Sequence, residues 1–166
     1  MKNGIKLAIA AGLGYAGFKL YQLNRLAAKL VYSVKGASAK VTLKPLYAAL
    51  VLRMEVRNQT NASVKVKDTF GNIEIGGNVV GTFSTGPYTI SKNGVTALNL
   101  KIVLRGLASA QALYAGLTTN RWPVVTINQT DLVAGVYPNI SKTVVDLAKL
   151  KPTAAGDINA IPTVEQ

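Results

Sequence analysis

Strict alternation of apolar and polar residues in two long stretches constrains this chain more than any other feature of its sequence. In LVLRMEVRN and ALNLKIVLR every second residue is apolar, and most of the residues between are polar. A period of two is that of a β-strand with one buried and one solvated face. The stretches therefore predict two long strands with these core positions: Leu50, Leu52, Met54 and Val56 in the first, and Leu98, Leu100, Ile102 and Leu104 in the second.

Shorter runs of the same kind surround these strands. Further strands are predicted in SVKVKD, NIEI, LVYSV, KVTL, VVTI and KTVVDL, with turn-forming sequences NQTN, FGN, GGN and KNG between them. One helix is predicted in LASAQALYAGL, where Leu107, Ala110, Tyr114 and Leu117 share a face. About seven or eight short strands, each with one solvated face, predict a mainly β domain, an antiparallel β-sandwich. This domain covers residues 31–150, and residues 151–166, KPTAAGDINAIPTVEQ, form an extended C-terminal tail.

Residues 1–30 differ from the rest because they contain neither an acidic residue nor a proline. Their uninterrupted apolar run covers residues 7–18, about 18 Å as a helix, which is short of the roughly 30 Å hydrocarbon core of a bilayer. Lys6 and Lys19 flank the run, and lysines can extend their charged ends toward the lipid headgroups. The segment predicts a helix that spans a membrane or lies along it. A cleaved signal peptide is less favoured, because the cleavage sequence after the run is poor.

The predicted membrane contacts follow from this arrangement. Basic side chains near an anionic surface and aromatic side chains at the lipid–water boundary both favour binding. The residues concerned are Lys2, Lys6, Lys19, Arg25, Lys29, Tyr15, Phe18 and Tyr21. Positive charge flanks the helix on both sides, which weakly favours a sandwich on the cytoplasmic or interior side of a membrane.

The sequence GLGYAG, residues 12–17, matches the glycine pattern of dinucleotide-binding loops. Such a loop follows a buried strand and is itself followed, about twenty residues later, by an acidic residue. Here the preceding residues are helical in character and the first carboxylate is Glu55, so no dinucleotide site is predicted. The spacing of Gly4, Ala8, Gly12 and Ala16 instead places small residues in one stripe along a helix. This stripe indicates close helix packing, or else an ordinary lipid-facing or protein-buried helix.

The charged residues limit the chemistry available to the chain. Nineteen lysines and arginines oppose seven acidic residues, giving a formal charge of +12, and both cysteine and histidine are absent. The carboxylates are scattered: Glu55, Asp68, Glu74, Asp131, Asp146, Asp157 and Glu165. We therefore predict no catalytic, cofactor or metal site, and no enzyme. The excess of positive charge indicates an anionic partner, a lipid surface or a nucleic acid.

The order of features between residues 31 and 147 resembles the late-embryogenesis-abundant type 2 domain, also called the water-stress and hypersensitive-response domain. A strand ends in Asn58, a polar turn and a strand pair follow, and then Ile90, Gly94 and Thr96 lead into a long alternating strand. The family usually has Asn-Pro-Asn at the first turn, whereas this chain has NQTN, so only Asn58 matches. The resemblance implies an immunoglobulin-like or fibronectin-like sandwich, often carried behind a membrane-anchoring helix, and implies no catalytic residues.

Three further patterns have two interpretations each. A nucleic-acid surface needs aromatic residues among the basic ones, and Tyr32, Tyr47 and Tyr88 are candidates, although their alternation also fits the core. Glycosylation sequons occur at Asn58, Asn61, Asn128 and Asn139, where turn formation is the favoured role. Trp122 in RWP is predicted to pack in or beside the core rather than to stack on a ligand.

Together these patterns predict a non-enzymatic, membrane-associated structural or binding protein. The N-terminal helix holds the sandwich at a cellular membrane or at the membrane of a virus particle, and the chain is not clearly secreted. Its other partners are proteins or further copies of itself, in a larger assembly. A basic protein that binds or packages nucleic acid is the alternative.

Overall fold

Two β-sheets packed face to face form the molecule, in a computed structural model that describes residues 29–133 and 139–165. The first sheet has the strand order β10–β6–β2–β1–β9, and the second has the order β4–β3–β7–β8, with a short β5 beside β3. The described pairs are antiparallel except β1–β9. The strands are β1 (Leu30–Leu43), β2 (Leu46–Asn58), β3 (Val64–Ile75), β4 (Asn78–Ser84), β5 (Tyr88–Ile90), β6 (Val95–Leu104), β7 (Val124–Val133), β8 (Asn139–Asp146), β9 (Thr153–Ala154) and β10 (Val164–Glu165).

The two alternating stretches form the neighbouring strands β2 and β6, as their pattern predicts. Leu50 pairs with Ile102 and Leu52 with Leu100, so that the apolar sides of both strands face the second sheet. All eight predicted core positions in these strands are buried. The prediction of a mainly β protein with two antiparallel sheets is confirmed.

Several predicted strands are parts of longer ones. LVYSV and KVTL belong to the single strand β1, which carries an irregularity between Val34 and Gly36. SVKVKD and NIEI belong to β3, so the turn predicted at FGN is wrong. Gly71 serves close packing instead, because a Cβ atom there would collide with the backbone carbonyl of Asn128 on β7. The other three predicted turns, at NQTN, GGN and KNG, lie between strands.

The predicted helix is present as α1 (Leu107–Thr119), followed later by a single-turn α2 (Leu147–Leu150). The prediction holds for Ala110, which is buried, and for Leu117, which packs against the core. It is wrong for Leu107 and Tyr114, which are exposed, while Ser109, Leu113 and Gly116 are buried instead. The helix is rotated toward Gly116 because the ring of Trp122 lies directly against that glycine. Trp122 also packs against the core, as predicted.

Residues 153–165, here called the C-terminal strap, cross the outer face of the first sheet. The strap pairs with β1 through β9 and with β6 through β10. Between them a 3-10 turn, Ile158–Ala160, places Ile158 against Ala49 and Val51. The strap also buries Asn99, which the alternation had placed on the solvated side. This expectation is wrong because the Asn99 side chain donates to the carbonyl of Pro162 at 2.8 Å.

Most of the predicted N-terminal helix lies outside the described residues, as do Gly4, Ala8, Gly12 and Ala16. Lys29 lies in a turn and Leu30 already opens β1, where it is buried. The helical assignment of these last two residues is therefore wrong. In residues 29–133 and 139–165, no helix has the length and apolar character needed to cross a membrane.

The interior contains two main apolar clusters, stacked along the strands. The entry cluster lies where the chain enters the sandwich at Lys29 and consists of Leu30, Val56, Val64, Val66, Tyr88, Ile90, Leu98 and Val133. The central cluster is larger and includes Leu52, Met54, Ile73, Leu100, Leu113 and Ile127. The two clusters adjoin along β2 and β6 of the first sheet, whereas polar residues separate them in the second sheet.

Candidate functional site

A layer of polar side chains, all buried except the partly buried Tyr32, lies between the two clusters. The polar layer consists of Tyr32 on β1, Thr69 on β3, Tyr88 on β5, and Gln129 and Asp131 on β7. The inward residues of β7 are Val125, Ile127, Gln129, Asp131 and Val133, so two polar residues interrupt an apolar series. Thr69 and Asp131 are completely buried.

Hydrogen bonds connect the members of the polar layer. Oδ1 of Asp131 accepts from the Thr69 hydroxyl at 2.7 Å and from the Gln129 amide at 2.9 Å. The Tyr88 hydroxyl lies 2.7 Å from the Thr69 oxygen. Since Thr69 has one hydroxyl proton and gives it to Asp131, Tyr88 is the donor in that contact. Among the described residues, the Tyr32 hydroxyl and Oδ2 of Asp131 have no hydrogen bond of good geometry.

Burial determines the protonation of this layer. It raises the pKa of Asp131 above its ordinary 3.8, and hydrogen bonds from Thr69 and Gln129 only partly offset that shift. Burial also raises the pKa of both tyrosines, which keeps their hydroxyls neutral. Asp131 is completely buried, and the hydrogen bonds of the polar layer join β3 to β7 and to β5 within the second sheet, so the layer is suited to stabilising that sheet.

Other carboxylates hold loops and turns. Oδ1 of Asp68 accepts the backbone N–H groups of Thr85 and Gly86 at 3.1 and 2.9 Å, and Oδ2 accepts the Ser84 hydroxyl at 2.8 Å. Glu74 accepts from the Asn128 amide at 2.7 Å. Asp68 and Glu74, the nearest carboxylate pair in the sequence of the sandwich, are thus both engaged structurally.

The remaining acidic side chains that the structure describes are also engaged. Asp146 and Asp157 cap the starts of α2 and of the 3-10 turn. Glu55 pairs with Lys35 at 3.8 Å. In residues 29–133 and 139–165, no group of three or more acidic side chains is arranged to hold a metal ion.

Most lysines and arginines in the described ranges are exposed. Four exposed basic residues surround the entry end of the sandwich, namely Lys29, Arg57, Lys65 and Lys92. Of the predicted membrane contacts, Lys29 alone falls among the described residues; Lys2, Lys6, Lys19, Arg25, Tyr15, Phe18 and Tyr21 lie outside them. At Lys29 the backbone carbonyl accepts the N–H of Gln59 at 3.3 Å, which fixes where the chain enters the sandwich.

The three tyrosines considered for nucleic-acid stacking lie inside or under the fold. Tyr88 belongs to the entry cluster and Tyr32 packs against both clusters. Tyr47 packs beneath the C-terminal strap. Tyr88 is buried and Tyr32 and Tyr47 are partly buried, whereas nucleic-acid bases stack on exposed rings.

The four sequon asparagines have different environments. Asn58 is completely buried, and its Oδ1 accepts the N–H of Thr60 at 3.0 Å, which is the predicted turn geometry. Asn61, in the same loop, accepts from the Asn93 side chain at 3.1 Å. Asn128 lies within β7, so the turn predicted there is wrong. Asn139 opens β8 directly after residues that lie outside the described ranges, so the turn predicted there stays a prediction.

Sequence reasoning missed the polar layer. It recognised a strand at VVTI but ended it at Ile127, before the polar residues. If the alternation is continued beyond Ile127, the residues two and four positions later, Gln129 and Asp131, lie on the inward side. An inward acidic residue in such a series was the available signal.

The chain matches no protein-family model. It also matches no curated protein. Among solved structures, a crystal structure of a protein from Archaeoglobus fulgidus is 15% identical with a TM-score of 0.46, covering 68% of this chain and 93% of that one. A complex of the Amycolatopsis orientalis exo-chitosanase CsxA with PNP-beta-D-glucosamine is 14% identical with a TM-score of 0.42, covering 72% of this chain and 13% of that one. Both TM-scores lie below 0.5, so neither similarity supports a conclusion about this chain.

Proposed function

We propose that this chain is a non-enzymatic, membrane-associated structural or binding protein. Residues 1–28 attach it to a lipid bilayer, and the β-sandwich acts at the membrane surface within a larger assembly. The shell of a lipid-containing virus is one setting for such an assembly. The observation that carries the proposal is the sequence of residues 1–28 itself, an apolar run between lysines that leads directly into the sandwich at Lys29.

The described charges support this proposal over catalysis. The side chains of Asp68, Glu74, Asp131, Asp146 and Asp157 all accept structural hydrogen bonds. The basic side chains, by contrast, are mostly exposed. The surface therefore carries positive charge that acidic side chains do not balance, and such a surface favours an anionic partner.

We also propose that the sandwich is related to the late-embryogenesis-abundant type 2 domain, with an immunoglobulin-like or fibronectin-like arrangement. The order of elements supports this relation. β2 ends at Asn58, the pair β3–β4 turns at Gly76 and Gly77, and Ile90 and Gly94 precede the long β6. The buried Asn58 is the residue that matches the first asparagine of the family's Asn-Pro-Asn turn.

Flotation with lipid vesicles tests the membrane proposal. The full chain is mixed with phosphatidylcholine vesicles containing phosphatidylserine and centrifuged through a density gradient, alongside a variant that lacks residues 1–28. We expect the full chain to float and the shortened chain to stay at the bottom as a soluble protein. A full chain that fails to float, together with a shortened chain that remains insoluble, contradicts the proposal.

A nucleic-acid-binding or packaging protein is the second candidate, favoured by the exposed lysines and arginines at both ends of the sandwich. Binding of the full chain to duplex and single-stranded DNA, measured as salt is raised, tests it. A steep fall of affinity with salt from a strong low-salt value supports this candidate, because released counterions drive such binding. Weak binding at low salt contradicts it.

A further inference from the structure

Among the described residues, three connected segments form the end of the sandwich where the chain enters. The N–H of Gln59 donates to the carbonyl of Lys29 at 3.3 Å, and the N–H of Asn93 donates to the carbonyl of Thr60 at 2.9 Å. Asn93 also donates from its side chain to Asn61 at 3.1 Å. One surface, here called the entry surface, is therefore formed by three segments. They are the turn at Lys29, the β2–β3 loop (residues 59–63) and the β5–β6 loop (residues 91–94).

The charged residues of this surface are all basic. Lys29 and Lys92 lie within it, and Arg57 and Lys65 flank the β2–β3 loop; all four are exposed. The sequence contains no acidic residue in the three segments 29–34, 57–67 and 88–96. Glu55, two residues before Arg57 on β2, is paired with Lys35.

We propose that the entry surface rests against the anionic headgroups of the bilayer that holds residues 1–28. This inference rests on the proposed function and adds which part of the sandwich meets the lipid. The chain outside the described residues joins the sandwich at this surface, through Lys29. The residues between the predicted apolar run and Lys29 span about 16 Å if they are helical, which keeps the entry surface within reach of the headgroup region.

Anionic lipid suits this surface better than a nucleic acid does. Among the described residues, the loops present small polar side chains and basic residues, and the two tyrosines of these segments, Tyr32 and Tyr88, pack against or within the entry cluster. Lysine and arginine attract phosphate at a lipid surface without needing aromatic stacking, whereas strong single-strand binding uses exposed aromatic rings. A second basic set at the opposite end, Lys44, Arg105 and Arg121, is also exposed and provides a matched control.

The first experiment compares two full-chain variants that each lose three positive charges. The test variant is Arg57→Gln, Lys65→Gln and Lys92→Gln, and the control variant is Lys44→Gln, Arg105→Gln and Arg121→Gln. Partitioning onto phosphatidylcholine vesicles is measured with and without phosphatidylserine. We expect the test variant to lose roughly tenfold or more on anionic vesicles, and the control variant to lose clearly less.

A second measurement reports position directly and does not depend on charge removal. Because the chain has no cysteine, a single fluorescent label can be attached at Ala62→Cys in the β2–β3 loop or at Ala108→Cys near the start of α1. Both alanines are exposed. With a quencher attached to lipid headgroups, we expect strong quenching at position 62 and little at position 108.

The outcomes separate this inference from the proposed function. Equal losses for the two charge variants, or equal quenching at the two labels, overturn the entry surface as the lipid contact while membrane attachment stands. Equal binding of the unaltered chain to neutral and anionic vesicles has the same meaning. A full chain that binds neither vesicle contradicts the proposed function and this inference together.

Discussion

At the scale of single residues, the buried side chain of Asn58 hydrogen-bonds to several parts of the chain. Its amide nitrogen donates to the carbonyls of Ala62 and Ser91 at 2.8 and 3.0 Å, and its oxygen accepts from both the N–H and the hydroxyl of Thr60. One completely buried side chain thus ties the end of β2 to two loops. Removing this amide leaves the N–H of Thr60 and the carbonyl of Ser91 without these partners.

We therefore expect Asn58→Ala to lower the free energy of unfolding by about 3 kcal/mol, because each unsatisfied buried group costs roughly 1–3 kcal/mol. Denaturant unfolding followed by circular dichroism measures the change. Asn61→Ala, in the same loop but exposed, is the control and is expected to cost less than about 0.5 kcal/mol. Similar losses for the two variants argue against this role for Asn58.

Asp131 gives a second residue-scale prediction, in the dependence of stability on pH. Its pKa in the folded protein is raised, so between pH 3.8 and that higher value the folded chain keeps a proton that the unfolded chain has released. Stability from this group is therefore full below about pH 3.8 and is lost as pH rises through the folded pKa. Asparagine resembles the protonated acid, since it can accept from Thr69 and Gln129 and donate toward Tyr32.

We expect Asp131→Asn to match the wild type near pH 4 and to become progressively more stable than it as pH rises toward 7. Denaturant unfolding at a series of pH values measures the difference between the two proteins, which cancels the contributions of other groups. A difference that stays constant with pH, or that grows on acidification, contradicts a raised pKa for Asp131.

Among the elements, α1 depends on a glycine at its contact with Trp122. A Cβ atom at Gly116 would overlap the indole ring, although alanine is normally about 1 kcal/mol better than glycine in a helix. Overpacking of this kind costs roughly 1–3 kcal/mol. Steric overlap should therefore outweigh the gain in helix propensity.

We expect Gly116→Ala to destabilise the protein by about 1–2 kcal/mol and to shift the fluorescence of Trp122, the chain's one tryptophan. Gly156→Ala is the matched control, because a Cβ atom there meets nothing within 4 Å. In a Trp122→Leu background the penalty should shrink, and an undiminished penalty would show that the indole is not its cause.

The C-terminal strap is the second element with a measurable role. Ile158 of the strap is buried against Ala49 and Val51. The two strands of the strap, β9 and β10, are only two residues long each. We expect Ile158→Ala to cost about 2 kcal/mol, at the low end for a buried isoleucine because the strap can settle onto the sheet. Asn159→Ala, at an exposed neighbour, should be nearly neutral in the same denaturant measurement. A neutral Ile158→Ala contradicts a stabilising strap.

At the scale of the whole molecule, the sequence predicts those features that follow from the alternation of apolar and polar residues. The alternation in β2 and β6 fixes their buried faces, and the pattern of glycines and asparagines locates the turns at Asn58 and at Gly76–Gly77. β4 escapes prediction because its pairing with β3 shifts register between Ile73 and Glu74, which interrupts the period of two. The strap escapes because short polar and proline-rich segments carry no periodicity of their own.

The candidate sites show the same difference between what local sequence reveals and what depends on contacts between distant segments. Exposed lysines and arginines can be read from composition, but their grouping at one end depends on which loops the fold brings together, such as residues 59–63 and 91–94. The polar layer depends on contacts between residues far apart in sequence, Thr69 with Asp131 for example. Such contacts between distant strands leave no local pattern.

The polar layer also separates two halves of the sandwich that can open independently. Apolar packing runs unbroken along β2 and β6 of the first sheet, but in the second sheet Thr69, Gln129 and Asp131 separate the entry cluster from the central cluster. Opening of the entry half exposes less apolar surface than global unfolding does, so its backbone amides should exchange with deuterium at a lower free energy. Hydrogen exchange should give smaller opening free energies for Val64 and Val66 than for Ile73 and Ile127. One common value would indicate a single cooperative unit, whereas two values would make the sandwich two units stacked along its strands.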